Sequence, residues 1–328
     1  MDRQHWSRRI SQLDPGRDYH EIYRILAVHE FPWDMNQSLS FALYRTYAVP
    51  SIGRLLYETA EFTQRTQKRY DDTALILDAI LEHGLASPAG RAAVRRMNQM
   101  HGAYNISNGD KLYVLSAFVV MPIRWIGTYG WRRLTEAECA ASANYYRELG
   151  RHMGIRDIPH THQQFAAFLD RFEREHFAFD DGALAVSEAT LRLMSTFRPN
   201  RLAPRAAVDM FAKALMDDPL LDAFHYRRPS RWERALATGA LRLRGRIVRF
   251  LPPRQQPLFA RQLPNIRSYP HGYEVGQLGT FPPGCPVPRP VSATPPPAPP
   301  TARSEADNGG YGRCPALPGN PHEQGGLR

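Results

Sequence analysis

Apolar residues recur every three or four positions along most of the chain up to about residue 250. No stretch shows the period-two alternation of a half-buried strand. Residues 36–60 carry the helical spacing with an interruption near Pro50. Asp71-Asp72-Thr73 opens a predicted helix through ALILDAILEH, which Gly84 stops. Ser87 reads as an N-cap with Pro88 at the first helical position, launching RAAVRRMNQMHGAY. Thr135 with Glu138, and Thr161 with Gln164, have capping-box spacing, and Gly150 closes the first of these two helices. Residues 182–197 and 205–217 are again amphipathic, and Ser230 caps a last helix that runs to about Phe250, before Pro252-Pro253. The expected fold class is all-α, with about nine or ten helices in one large domain over residues 20–279, behind an N-terminal extension at 1–19.

From about Pro282 the pattern stops. VPRPVSATPPPAPP and the Gly/Pro/Asn-rich end cannot bury enough apolar surface to offset their ordering entropy, so 280–328 is expected to be a disordered tail. Over the full chain, 43% hydrophobic and 11% aromatic residues suit a protein with a globular body. Cys139, Cys285 and Cys314 are widely spaced with no CxxC pair, which argues against a disulfide framework or structural zinc and for a reducing compartment. The charged N-terminus lacks the apolar core of a signal peptide. The longest uncharged apolar run, Leu112 to Ile123, falls short of the ~20 residues of a bilayer span and reads as a buried helix. A soluble, cytoplasmic protein is expected.

The net charge of +10 comes mostly from arginines spread over many helices, with acidic residues among them and no nucleic-acid-binding motif, so no nucleic-acid partner is expected. Residues 236–251 are more pointed, with Leu236, Leu243, Ile247 and Phe250 set among Arg242, Arg244, Arg246 and Arg249. Such a stretch could rest on an anionic membrane. The plainer reading is a terminal helix packed on the body with a solvated arginine face.

One histidine carries the candidate chemistry. His101 ends an amphipathic helical pattern and is followed directly by the most apolar segment of the chain. A neutral imidazole beside an apolar pocket is what a haem iron, or another metal, takes as an axial ligand. It is equally the signature of a helix-end histidine bonded to a carbonyl, and the residues alone leave both open. His160 and His162 straddle the Thr161 cap and are read as loop and first-turn residues rather than a metal pair. GxSxG, P-loop and strand-following GxGxxG motifs are absent, which removes the common hydrolase, kinase and dinucleotide-binding classes.

The blocks RTQKRYDDT (65–73), RMNQMHGAYNISNGDKLYVLSAF (96–118), YGWRRLTEAE (129–138) and ELGRHMGIRDIP (148–159) occur in order, followed by IRSYPHGYEVGQLG (266–279). Together they resemble the family of rubber oxygenases (latex clearing proteins) and MpaB-type oxygenases, nearest its MpaB-like bacterial branch, over roughly residues 20–279. The resemblance implies an all-helical fold with a globin-like core. In the rubber oxygenase branch it also implies a haem b held by a proximal histidine. Matching residues make His101 the iron ligand, with Arg96 five positions before it as a propionate partner or orienting group. The distal motif falls on Arg65 and Lys68, spaced i,i+3 and so on one side of a helix, with the lysine able to cap the iron. Arg69 stands where the rubber oxygenases have threonine. The glutamate base of that branch has no clear counterpart, although Glu58 and Glu61 lie upstream.

The implied activity is a haem-dependent oxygenase that uses dioxygen as co-substrate to cleave a C=C bond in an apolar, isoprenoid-like small molecule. Leu112, Val114, Phe118 and Met121 would help to line its channel. The alternatives are a non-catalytic haem- or hydrophobic-ligand-binding protein, and an oxygenase with a non-haem metal.

Overall fold

The computed structural model describes residues 2–280; the Pro-rich tail from 281 onward, with Cys285 and Cys314, lies outside them. The regular structure among the described residues is helical, with no strand. The helices are α1 (His5–Ile10), α2 (Tyr19–Ile25), α3 (Pro32–Thr46), α4 (Pro50–Glu58), α5 (Glu61–Gln64), α6 (Thr66–His83) and α7 (Pro88–Gly102). They continue with α8 (Asn108–Tyr129), α9 (Glu136–His152), α10 (His162–His176), α11 (Asp181–Ser195), α12 (Arg205–Ala214), α13 (Asp218–Ala223) and α14 (Arg231–Val248). Fourteen exceeds the nine or ten that periodicity predicts, because α1, α2, α5 and α13 span only 6, 7, 4 and 6 residues, too few for a repeat to register.

The caps form where local chemistry asks for them. Ser87, Thr135, Thr161 and Ser230 each accept a backbone N–H three residues on, at 2.9, 3.3, 3.2 and 3.3 Å. Two boundaries depart from the sequence reading. α6 opens at Thr66, not at Asp71, and Asp71 and Asp72 lie buried in its body. Tertiary partners override their preference for a helix start. Asp71 Oδ2 accepts from Arg267 N and Ser268 N at 3.0 and 2.8 Å, and Asp72 accepts from Tyr269 Oη. α9 runs past Gly150 to His152. Gly150 instead marks a close approach, since a Cβ there would lie 2.6 Å from Leu115.

α8 is the central core helix and packs on α3, α9, α10 and α14. It is long and apolar enough to cross a membrane, yet more than half of its most apolar window is buried inside the protein, as in a core helix. A second cluster joins Tyr44 of α3 and Tyr47, just past its end, to Val186 and Leu191 of α11 and to Leu220 and Leu221 of α13. A buried ion pair bridges the two clusters. Arg45 Nη2 donates to Glu173 Oε2 and pairs with Asp217, both at 2.7 Å, and Tyr113 Oη donates to Glu173 Oε1 at 3.1 Å. The N-terminal extension is tied down where Trp6 stacks on His29 at 4.0 Å.

Two further features position the site. α2 continues into a π-helical turn, Leu26–Glu30, a geometry that recurs at functional sites. After α14 the chain returns over α6 as an irregular strap through residue 279. Asp78 accepts Ala260 N at 2.8 Å, and Val275–Gln277 forms a single turn against α6 and α7.

Candidate functional site

A cavity of about 150 Å³ lies among the π-helical turn, α3, α6, α9, α11 and the strap. Thr66, Tyr70, Thr73 and Leu77 form one wall because their spacing of four, three and four places them on one face of α6. Met35, Leu39 and Leu43 of α3 supply much of the aliphatic remainder. The polar atoms are few. Tyr23 and Tyr146, both lining, join their hydroxyls at 2.7 Å, and Tyr145 stacks on Tyr23 at 4.2 Å. Burial pushes all three phenols up, so they stay neutral. Of the four residues expected to line a channel, Phe118 does so, whereas Leu112, Val114 and Met121 belong to the general packing.

His101 occupies the last turn of α7. Its Nδ1 is sealed from solvent and has no hydrogen-bond partner. This excludes the helix-end histidine bonded through Nδ1 to a carbonyl. Burial drives its pKa down to about 4, helped by the positive charges of Arg69 and then Lys111, so the ring is neutral at pH 7.

The other predicted residues divide. Lys68 Nζ donates to Asp72 Oδ2 at 2.7 Å and to Gly279 O at 3.3 Å. Arg96 is buried and its Nε donates to Leu278 O at 2.7 Å. Both cations therefore meet on consecutive residues of the strap, which the tight seat of Gly279 holds against α7. Gly279 has φ +82°, and a Cβ there would fall 1.9 Å from Met100 Sδ, the residue next to His101. Arg65 lies apart, caps α6, is largely exposed and pairs with Glu61.

The cation that bears on His101 is Arg69, one residue after the matched lysine. Its guanidinium faces the Phe62 ring at 5.4 Å and donates to Thr73 Oγ1. Phe62 and Thr73 both line the cavity, so Arg69 borders that space, while its charge is also felt at His101; neither Arg69 nor His101 is itself a lining residue. The sequence signal for this wall was the four-three-four spacing on α6, visible only once the helix is extended back to Thr66.

These residues fit a porphyrin better than a protein-held metal. Among the described residues no three His, Cys, Asp or Glu side chains converge as metal ligands. A haem brings four nitrogens of its own and asks the protein for one or two. A half-buried, neutral imidazole whose Nδ1 is sealed and unpartnered could meet that demand, and the charges of Arg69 and Lys111 felt there would suit an anionic periphery.

Comparison with known proteins finds a matching family and curated relatives. Residues 34–250 match the family described as ER-bound oxygenase mpaB/B'/Rubber oxygenase, catalytic domain. The chain is 28% identical over 256 residues to the ER-bound oxygenase mpaB' of Penicillium brevicompactum, covering 72% of this chain and 60% of that relative. It is 35% identical over 140 residues to the ER-bound oxygenase mpaB of the same organism, covering 41% of this chain and 36% of the relative. Against the ER-bound oxygenase mpaB of Penicillium roqueforti it is 28% identical over 229 residues, 63% of this chain and 74% of the relative.

Proposed function

The chain belongs to the family of mpaB-type and rubber oxygenase catalytic domains, and from that premise we propose that it is a haem-dependent oxygenase acting on an apolar, isoprenoid-like small molecule with a C=C bond. The observation that carries this reading is the neutral imidazole of His101 with its unpartnered, buried Nδ1. An imidazole can serve as an axial ligand only while unprotonated at the bonding nitrogen, and burial keeps this one so. When bound, haem supplies activation of dioxygen toward an electron-rich alkene, with oxidative scission into two carbonyl products as the reaction served.

The chain's own residues have separable tasks. His101 would hold the cofactor from α7, and Arg69 and Lys111, whose charges act at His101, would offset its carboxylates. Met35, Leu39 and Leu77 exclude water from the neighbouring cavity and receive an apolar chain. Tyr23 and Tyr146 satisfy each other, so the cavity gains polarity at one point without an uncompensated hydroxyl. Lys68 gives two of its three donors to Asp72 and Gly279, so any service on the distal side would fall to the third or draw the lysine from the strap.

Purified full-length protein is expected to show a Soret band and porphyrin in a haemochrome assay, with the band lost or reduced in His101→Ala. Dioxygen consumption is then measured with a panel of isoprenoid alkenes. Haem without uptake on any alkene would make the protein a carrier. Metal without porphyrin, or a colourless protein after reconstitution with haemin, would overturn the haem reading.

A further inference from the structure

α14 has two faces of opposite meaning. Ala237, Leu241 and Gly245, four residues apart, are buried against the body. Turned away from them, Trp232, Leu236, Leu243, Ile247 and Phe250 recur at intervals of four, seven, four and three, so they form one stripe. All five are exposed, Trp232 and Phe250 to 85% each, and Leu251 extends the stripe at 50%. A stripe about 27 Å long follows from the rise of a helix between its end residues. Isolated exposed apolar residues are ordinary; a continuous row of large ones is not.

The charges along the row give the partner. Arg242, Arg246 and Arg249 each precede a stripe residue by one position and so form a parallel edge. Arg234 and Arg244 on the same helix are committed to Asp218 and Asp34, at 2.5 and 2.9 Å. By contrast, Arg242, Arg246 and Arg249 are exposed and form no ion pair among the described residues. The only acidic residue of the helix, Glu233, is in its first turn and occupied by Ser230 and Arg227. No carboxylate therefore offsets the basic edge beside Leu243, Ile247 and Phe250. A protein partner could cover the apolar row, but a row of aromatic and aliphatic tips bordered by unpaired guanidiniums matches the acyl and headgroup layers of a bilayer.

We propose that α14 docks this protein on the surface of an anionic phospholipid membrane, with the stripe inserted at the headgroup boundary and the three arginines on lipid phosphates. The helix lies in the plane and does not cross. This inference is independent of the haem reading, because it uses no residue of the cavity or of His101.

The test is flotation of the full-length protein with vesicles of phosphatidylcholine alone or with 30% phosphatidylserine. The expected result is recovery with the anionic vesicles, weakened by 0.5 M salt, and at least tenfold weaker binding in Leu243→Asp/Phe250→Asp. Arg242→Ala/Arg246→Ala/Arg249→Ala is expected to lose the preference for phosphatidylserine. The substituted side chains are exposed, and unchanged circular dichroism shows that the variants fold. Absence from both vesicle fractions, or flotation unaffected by the Leu243/Phe250 substitutions, would overturn the proposal. A stable dimer in light scattering that the same substitutions dissolve would also overturn it, by assigning the stripe to a second copy.

Discussion

Acidification of the haem-free protein tests the environment of His101 directly. The histidine has an ordinary pKa of 6.5 in the unfolded chain, and burial holds it at about 4 in the folded one. Between these values the unfolded chain takes up a proton that the folded chain refuses, so stability falls as pH falls from 6.5 toward 4. The contribution is fully present above pH 6.5. Linkage makes the loss about 2 kcal/mol at pH 5 and about 3 kcal/mol at pH 4. Other buried groups titrate too. Burial raises Glu30, Asp34 and Asp78, which stabilises the fold toward acid and so acts in the opposite sense. The informative quantity is therefore the difference between wild type and His101→Gln, in which this proton is removed and the rest is kept. Urea titrations followed by far-ultraviolet circular dichroism at pH 7, 6 and 5 measure it. The gap between the two proteins should narrow or reverse by about 2 kcal/mol over that range. Parallel pH profiles would refute the assignment of a sealed, neutral imidazole at this position.

Arg69→Met removes the nearer cation named in that depression, so the His101 pKa should rise in a proton-resonance titration while remaining below 6.5. Glu173→Ala leaves Arg45 buried with Asp217 alone, and a loss of about 3 kcal/mol in urea unfolding is expected, the lower end for breaking a buried pair. Gly279→Val drives a side chain into Met100 at a positive φ; the strap should lift, and hydrogen exchange over 266–279 should quicken. Ala74→Phe fills the cavity wall, so alkene-dependent dioxygen uptake should fall at least tenfold with the Soret band unchanged. Equal loss of both signals would show that the cavity and the cofactor site are one space.

What could be read from the sequence was local. Ser87, Thr135, Thr161 and Ser230 cap helices because a side-chain oxygen needs only the backbone three residues ahead. The apolar run at 112–123 reads as a core helix for the same reason, since its burial is written in its own composition. Asp71 and Asp72 misled because their partners, Arg267 to Tyr269, lie nearly two hundred residues away. The cavity was invisible for the same cause: its walls come from α2, α3, α6, α9, α11 and the strap, and no segment carries its outline. His101 was legible as a candidate through the order of the matched blocks. That its Nδ1 is unpartnered required coordinates.

The strap connects these separate readings. Lys68 and Arg96, singled out as a distal and a cofactor-binding residue, bond to the carbonyls of Gly279 and Leu278. Asp72 joins the same knot by receiving Lys68 and Tyr269. Lys68 spends two of its three donors on Asp72 and the strap, at 2.7 and 3.3 Å, and the longer bond is the weaker. A ligand that draws the lysine away would therefore take it from Gly279 before Asp72. Arg96 still holds the strap to α7 in that event, which makes it the pivot about which the strap would move. The strap also keeps its anchors on Asp71, Asp72 and Asp78 of α6, so losing the Lys68 contact frees its end at residue 279 rather than the strap as a whole.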